Sequence, residues 1–444
     1  FQGGNNEKAV ELIEKALSIH PEFAEAYCNL GIAQNKLGKF DKALICYKRA
    51  IALKPNYAEA QSHLGLGIQT LGRVDEAVVH FRKALALKPD YAEAHNNLGN
   101  ALKELGQSEE AVASYETALK LNPNYAEANN NLGNIYYDLG QFEEASRSYR
   151  KALSIKPDYA MARNNLGLAL VQLDRLEEAA ECFEQADNDN SRPNLLECAY
   201  SLGQKDRFYQ LLEKITLEDK TNRGVAAISA FASHQFDHRD PYPFCTAPLD
   251  FVHVNNIVSI MGEGEELLPD LNKQIADVEI DGRHQTLLES GVQSSGDLFL
   301  ECRGALAELD KIIRKEAAAY RLKYQSSDCS FIKMWPQVYV LNGWYILMEK
   351  GGLLKSHNHT DGWLSGVFYL KMPSVKSDEG SIEFGLHRDD FPVLNSEYPR
   401  ALYKVKEGDL VLFPSSLFHR TVPFYSDEER LCIAFDLCPK GHEV

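Results

Sequence analysis

The segment AEAYCNLGIAQNKLGKFDKALICYKRAIALKPNY, residues 24–57, returns at a period of 34 residues. A fixed period of that length limits the fold more than any single motif does. Each copy is one small supersecondary unit that buries its apolar face only by stacking on its neighbours, which makes a solenoid. Gly31, Gly65, Gly99, Gly133 and Gly167 fall in register, as do Ala43, Ala77, Ala111, Ala145 and Ala179. Pro21, Pro55, Pro89, Pro123 and Pro157 follow the same register. The pattern predicts two helices of about a dozen residues per unit, packed closely through the small residues, with proline stopping the second helix. Residues 5–23 carry only a second-helix pattern, so the chain is expected to begin inside a longer array. The opening Phe-Gln-Gly-Gly reads as the remnant of a cleaved or truncated tag and is set aside.

The unit resembles the tetratricopeptide repeat, whose Leu-Gly…Ala…Phe/Tyr…Ala…Pro pattern is met by Leu30, Gly31, Ala43, Tyr47, Ala50 and Pro55. Just before each Leu-Gly pair stands Asn29, Asn97, Asn131 or Asn165, or, in the second repeat, His63 before Leu64-Gly65. Stacked repeats would align these five on the concave face. The array is similar to that of O-GlcNAc transferase, and the resemblance implies a ladder that grips peptide backbone. A side-chain amide suits that role because it donates and accepts at once. The alternative is that the amides are solvated or bond within the array. On the first reading the partner is a peptide or protein.

The rest of the chain must be a different fold, because the period fails near Asn190. Residues 193–215 read as a helix pair closing the solenoid, and DHRDPYPFCTAPLDFV marks a boundary. The expected organisation is a repeat solenoid over 5–190, a helical cap and linker over 191–249, and a further domain over 250–444. In that last part a helix is predicted over 298–323, with Leu306, Leu309, Ile312 and Ile313 on one face. Short β-type runs follow: QVYVLNGWYILME, WLSGVFYLKM, GSIEFGL, DLVLFP and RLCIAFDLC. Strands separated by turns after one helix point to a jelly-roll or related barrel. The net charge of −17 excludes nucleic acid as the main partner. Nine cysteines without a CxxC pair read as reduced thiols of a cytoplasmic protein. No apolar run approaches membrane-spanning length.

Chemistry is concentrated in HNHTDGW, residues 357–363. On a strand, residues i and i+2 share a face, so an H-x-H or H-x-D pair offers two ligands side by side. A third ligand from a distant strand completes a facial triad with open positions. H-x-D occurs three times, at His238/Asp240, His359/Asp361 and His387/Asp389. The first lies in a proline-rich linker and the last in a polar loop, whereas the 357–361 cluster lies between two β-runs. His419 is the distal candidate, expected after a strand and a short bend. Arg430 opens the final strand. Facing the barrel interior, it would be a buried cation unless an anion met it, and a chelated dicarboxylate would do so by a charge-assisted contact.

Together, GGLLKSHNHTDGWLSGVFYLKMP, EGSIEF, EGDLVLFPSSLFHRTVPF and ERLCIAFDL resemble the 2-oxoglutarate- and Fe(II)-dependent oxygenases, over roughly residues 330–440. The branch most alike follows tetratricopeptide repeats in some bacterial proteins. The resemblance implies a double-stranded β-helix (jelly-roll) domain with flanking helices, and Fe(II) and 2-oxoglutarate as cofactors. It makes His357, His359 and His419 the metal ligands, with Asp361 in reserve for an ordinary two-histidine, one-carboxylate triad. Aspartyl/asparaginyl β-hydroxylases are relatives that manage without the carboxylate. Arg430 matches the arginine that holds the far carboxylate of 2-oxoglutarate. Tyr369 matches a tyrosine that assists it in prolyl hydroxylases, and Ser365, on the same face of the strand, is a further cosubstrate candidate. The implied function is hydroxylation of a peptide or protein side chain presented by the repeats. Two alternatives stand beside it: an interaction scaffold with an inactive barrel, and a three-histidine dioxygenase of the cupin type that needs no 2-oxoglutarate.

Overall fold

The computed structural model describes residues 6–257, 267–277, 287–294, 297–300, 302–375, 377–388, 391–395 and 397–440. The chain divides into two units, Phe1–Asp187 and Asn188–Val444.

The first unit is the expected helical array. A single helix α1 (Asn6–Ile19) precedes α2 (Ala24–Lys36) and α3 (Phe40–Leu53), the first full pair. The next pairs are α4 (Ala58–Thr70) with α5 (Val74–Leu87), and α6 (Ala92–Glu104) with α7 (Ser108–Leu121). They are followed by α8 (Ala126–Asp138) with α9 (Phe142–Ile155), and α10 (Ala160–Gln172) with α11 (Leu176–Ala186). The registered glycine of each first helix lies under an aromatic ring of the second. A Cβ on Gly133 would sit 2.5 Å from the Tyr149 ring, and one on Gly65 2.8 Å from Phe81. No side chain larger than hydrogen leaves room for that contact. The turn inside each pair needs a left-handed residue, supplied by Gly38, Gly72, Gly106 and Gly140 and in the last pair by Asp174 at φ 57°. Each proline stands two residues past a second helix, where its missing N–H costs nothing.

In the second unit, α12 (Ser191–Ser201) and α13 (Lys205–Glu218) match the expected helix pair, and α14 (Arg223–Gln235) extends them. The Asn222 side chain accepts from Val225 N at 3.0 Å and caps α14. The helix expected over 298–323 runs from Gly304 to Lys323.

Two antiparallel sheets follow. The larger has the order β1 (His253–Asn256), β7 (Asp409–Pro414), β4 (Leu364–Lys371), β9 (Arg430–Pro439), β3 (Tyr339–Leu354), β2 (Leu288–Gln293). The smaller is β6 (Arg400–Tyr403), β5 (Ile382–Gly385), β8 (Phe418–Thr421). Alternation splits the large sheet's side chains cleanly. Leu364, Phe368, Leu431, Ile433 and Leu412 pack with Phe231, Leu309 and Phe331 of the helices. The opposite face, with Val367, Tyr369, Cys432, Ala434, Val411 and Phe413, packs on Ile382 and Phe384 of the small sheet. The site lies on that inner face.

Strands β1, β2, β6 and β8 were not among the predicted β-runs. They are short, and three of the four are largely polar. His419, expected after a strand and a short bend, is inside β8, because Phe418–Thr421 pairs with β5 at Phe384↔His419.

Candidate metal centre

Three imidazoles meet at one end of the inner face. A ring nitrogen of each of His357, His359 and His419 lies within 4.8 Å of one from each of the others. Ring centroids are 4.3 Å apart for His357 and His419, and 5.1 Å for His359 with either. Backbone pairing sets this convergence. His357 N donates to His419 O at 3.1 Å and His419 N to His357 O at 2.9 Å, a single antiparallel bridge between the loop and β8. His359 N donates to Ser415 O at 2.9 Å.

The outer nitrogens are spoken for. His359 Nδ1 donates to Asp436 Oδ1 at 2.7 Å and His357 Nδ1 to Lys355 O at 2.8 Å. His419 Nδ1 faces Leu417 O at 3.4 Å. With Nδ1 so engaged, Nε2 is the nitrogen left to face the common centre, the arrangement by which proteins orient metal-bound imidazoles. Burial, then His359, holds His357 neutral by lowering its pKa to about 4. Burial and the two neighbouring imidazoles push His419 well below the ordinary value. Burial opposes charge on His359 too, but Asp436 outweighs it and raises that pKa. Three imidazole donors of this kind suit a first-row divalent ion such as Fe(II).

Asp436 is the residue that sequence reasoning missed. Its Oδ1 also accepts from Ser365 Oγ at 2.5 Å, and Ser365 Oγ lies 2.8 Å from Ser415 Oγ. Gly362 makes this packing feasible, since a Cβ there would stand 2.7 Å from Ser415 Oγ and 2.9 Å from Asp436 Oδ1. The signal was present: Asp436 is an even number of residues from Arg430 on one strand, hence on the same face.

Along β9 the inner face reads Arg430, Cys432, Ala434, Asp436, paired across β4 as Tyr369↔Cys432, Val367↔Ala434 and Ser365↔Asp436. The two ends are polar and the middle is small and apolar. A cavity of about 360 Å³ covers this floor and is lined by the three histidines, Tyr369 and Arg430. Arg430 is 2% exposed. Its guanidinium lies 5.0 Å over the Tyr369 ring, Nε donates to Gly380 O at 3.3 Å, and Nη1 faces the sulfurs of Met348 and Cys432. Among the described residues no carboxylate pairs with it. Among the described residues the buried Tyr369 hydroxyl finds no hydrogen-bond acceptor either. A buried cation and a buried hydroxyl, both short of acceptors, fit the far end of a dicarboxylate.

The other expected residues fall elsewhere. Ser365 does not line the cavity: its hydroxyl points to Asp436 at the histidine end, because the pleat sets it opposite that residue. Asp361 is exposed and lies outside the histidine cluster. Arg420 pairs with Glu383 at 2.9 Å. Asp240 accepts from Ser229 Oγ at 2.6 Å and Tyr242 N at 2.9 Å, and His387 bonds Phe391 O at 3.1 Å, so neither joins a metal cluster. Asp389 lies outside the described residues. In the repeats, Asn131 Nδ2 donates to Asn96 and Asn100, each at 3.1 Å, and Asn165 Nδ2 to Asn130 at 3.2 Å and Asn134 at 3.0 Å. These two amides tie neighbouring repeats together. The residues one repeat back from those acceptors are Ser62 and Leu66, and the buried Asn97 Nδ2 has no partner among the described residues. Asn29 is exposed, and His63 stacks on Tyr47 with centroids 5.8 Å apart.

Comparison with known proteins agrees with this division. Residues 342–436 match the family described as "Putative 2OG-Fe(II) oxygenase". Tetratricopeptide repeat models match residues 1–38, 24–57, 70–106, 99–140, 133–174 and 161–188. No curated protein matches the chain. Among solved structures, MamA is 30% identical over 35% of this chain and 92% of its own, with a TM-score of 0.33. MamA 41-end from Desulfovibrio magneticus RS-1 is 27% identical over 37% and 92%, with a TM-score of 0.34. YrrB, described as a TPR protein with an unusual peptide-binding site, is 25% identical over 41% and 96%, with a TM-score of 0.34. None of the described helices is long and apolar enough to cross a membrane.

Proposed function

From a chain that joins tetratricopeptide repeats to a domain matching the 2OG-Fe(II) oxygenase family, we infer an Fe(II)- and 2-oxoglutarate-dependent dioxygenase that hydroxylates a peptide or protein side chain. His357, His359 and His419 would hold the iron through Nε2. Asp436 keeps His359 oriented and places a negative charge one hydrogen bond behind that imidazole. Arg430 and the Tyr369 hydroxyl would bind the far carboxylate of 2-oxoglutarate, with Val367 and Ala434 against its methylenes. When bound, iron and cosubstrate together supply the oxidising power to hydroxylate an unreactive C–H bond. The protein contributes geometry and a largely apolar cavity. The repeat array would recruit the protein substrate, with Asn29 and Asn97 the ladder members whose amides bond no neighbouring repeat among the described residues, and His63 held against Tyr47 of the preceding repeat.

The observation that carries this reading is Arg430, a buried guanidinium without a carboxylate partner among the described residues, in the cavity that holds the histidines. Three neutral donors favour a cupin-type, 2-oxoglutarate-independent dioxygenase as the second reading, but that chemistry leaves Arg430 without a purpose. Succinate release from 2-oxoglutarate separates the readings. Arg430→Ala is expected to weaken 2-oxoglutarate binding by about a hundredfold or more while iron still binds. Unchanged turnover in that variant would overturn the assignment. Absence of succinate from the iron-loaded parent would leave the scaffold reading.

A further inference from the structure

A second cavity, of about 690 Å³, lies within the second unit between α12–α14 and the rim of the large sheet. Asn358, Thr360 and Asp361 line both this cavity and the histidine cavity. The two spaces therefore meet at the loop that carries His357 and His359. Arg223, at the start of α14, fastens that junction: its Nε donates to Thr360 O at 2.8 Å and its Nη2 to Asp361 O at 3.3 Å. We propose that this cleft binds an extended polypeptide carrying a basic side chain and delivers its neighbouring residue to the three-histidine end. The delivery step rests on the oxygenase reading; the binding does not.

The chemistry of the walls selects that occupant. Five carboxylates line the cleft against three arginines. The arginines are already engaged: Arg192 with Glu218 at 2.6 Å, Arg388 with Glu197 at 3.0 Å, and Arg223 with the loop carbonyls. The exposed Asp361 carboxylate at the junction makes no direct ion pair among the described residues, although the charge of Arg223 acts on it, and across the cleft the carboxylates still outnumber the arginines. An acidic cleft repels nucleic acid and attracts a cationic chain. Beside it Asn358 offers a side-chain amide that bonds no described residue, and an amide pairs with a peptide unit through both of its groups. Recognition next to the reacting residue then belongs to the second unit's own helices and loop, and the repeats serve for recruitment.

Fluorescence anisotropy on the full chain, without iron or 2-oxoglutarate, tests this. The probes are a short fluorescein-labelled Gly-Ser peptide carrying lysines and the same peptide carrying glutamates. The lysine peptide is expected to bind more tightly. Asp361→Asn should weaken it about fivefold, the size of one exposed charge pair, and leave the glutamate peptide binding no more weakly than before, since a repulsion has been removed. Asn194→Trp, on the α12 wall, should fill the cleft and abolish binding while the thermal midpoint shows that the chain is folded; if it unfolds, Asp361→Asn decides. Equal affinity for both peptides, or parent-like lysine-peptide binding in a folded Asn194→Trp variant, overturns the proposal. Because Arg430→Ala should still bind the lysine peptide while releasing no succinate, failure of the oxygenase reading is visible separately.

Discussion

The two units of this chain solve the same packing problem over different distances in sequence. In the repeats, the close approach that fixes a helix pair is between Gly133 and the Tyr149 ring, both inside one unit of the period. In the β-rich unit, a Cβ on Gly366 would sit 2.3 Å from Phe435, and His359 meets Asp436 across 77 residues of chain. The first kind of contact is written locally and then copied. The second exists only when β9 has found its register against both β3 and β4. A one-residue slip of β9 would turn Arg430 and Asp436 out of the cavity together. The functional end of the molecule is thus the part whose geometry depends most on distant pairing.

The largest effect that would sharpen this contrast is expected at Asp436. Asp436→Asn keeps an oxygen that accepts from His359 and Ser365 but removes the charge. Anaerobic Fe(II) titration by calorimetry should show affinity reduced by about 10- to 100-fold, as for other carboxylates behind a metal-bound histidine. Helical content of the repeats should not change. Parent-like iron affinity would mean that the Asp436 hydrogen bond is only structural.

How much of this was legible follows the same division. The helix pairs, their glycines and their prolines could be placed residue by residue, because one unit explains all of them. Five strands were legible from their apolar runs. The short β1, β2 and β6, and β8 that carries His419, were not, since their strand character comes from a partner and not from their own pattern. The three histidines and Arg430 stood out as residue types, yet the role of Ser365 could not be read. Its face was predictable; its partner, Asp436 on a strand 71 residues away, was not.

A smaller effect would break the comparison if it spread. Gly133→Ala forces a methyl into the Tyr149 ring, and overpacking of this kind costs about 1–3 kcal/mol. Urea unfolding followed by hydrogen exchange should place the loss in α8, α9 and their neighbouring helices, because each repeat leans only on the next. Iron affinity should be unaltered. A loss of protection in β4 or β9 of similar size would show that the two units fold as one cooperative block.

The smallest expected effect concerns an H-x-D pair that is not a metal site, His238/Asp240. Burial raises the Asp240 carboxyl to about 6, against the pull of its bonds from Ser229 and Tyr242. A carboxyl whose folded pKa lies above its unfolded one stabilises the fold fully below about pH 4, and that contribution is lost as pH rises through about 6. At pH 8 the folded unit therefore holds a buried charge at some expense. Asp240→Asn keeps one oxygen to accept both bonds, which converge on Oδ1, and removes the charge. Thermal unfolding should show the variant more stable than the parent by on the order of 1 kcal/mol at pH 8, and no more stable at pH 4. An equal gain at both pH values would assign the effect to packing instead. A loss at pH 8 would mean that ionised Asp240 meets a cation, and that this first H-x-D has chemistry of its own.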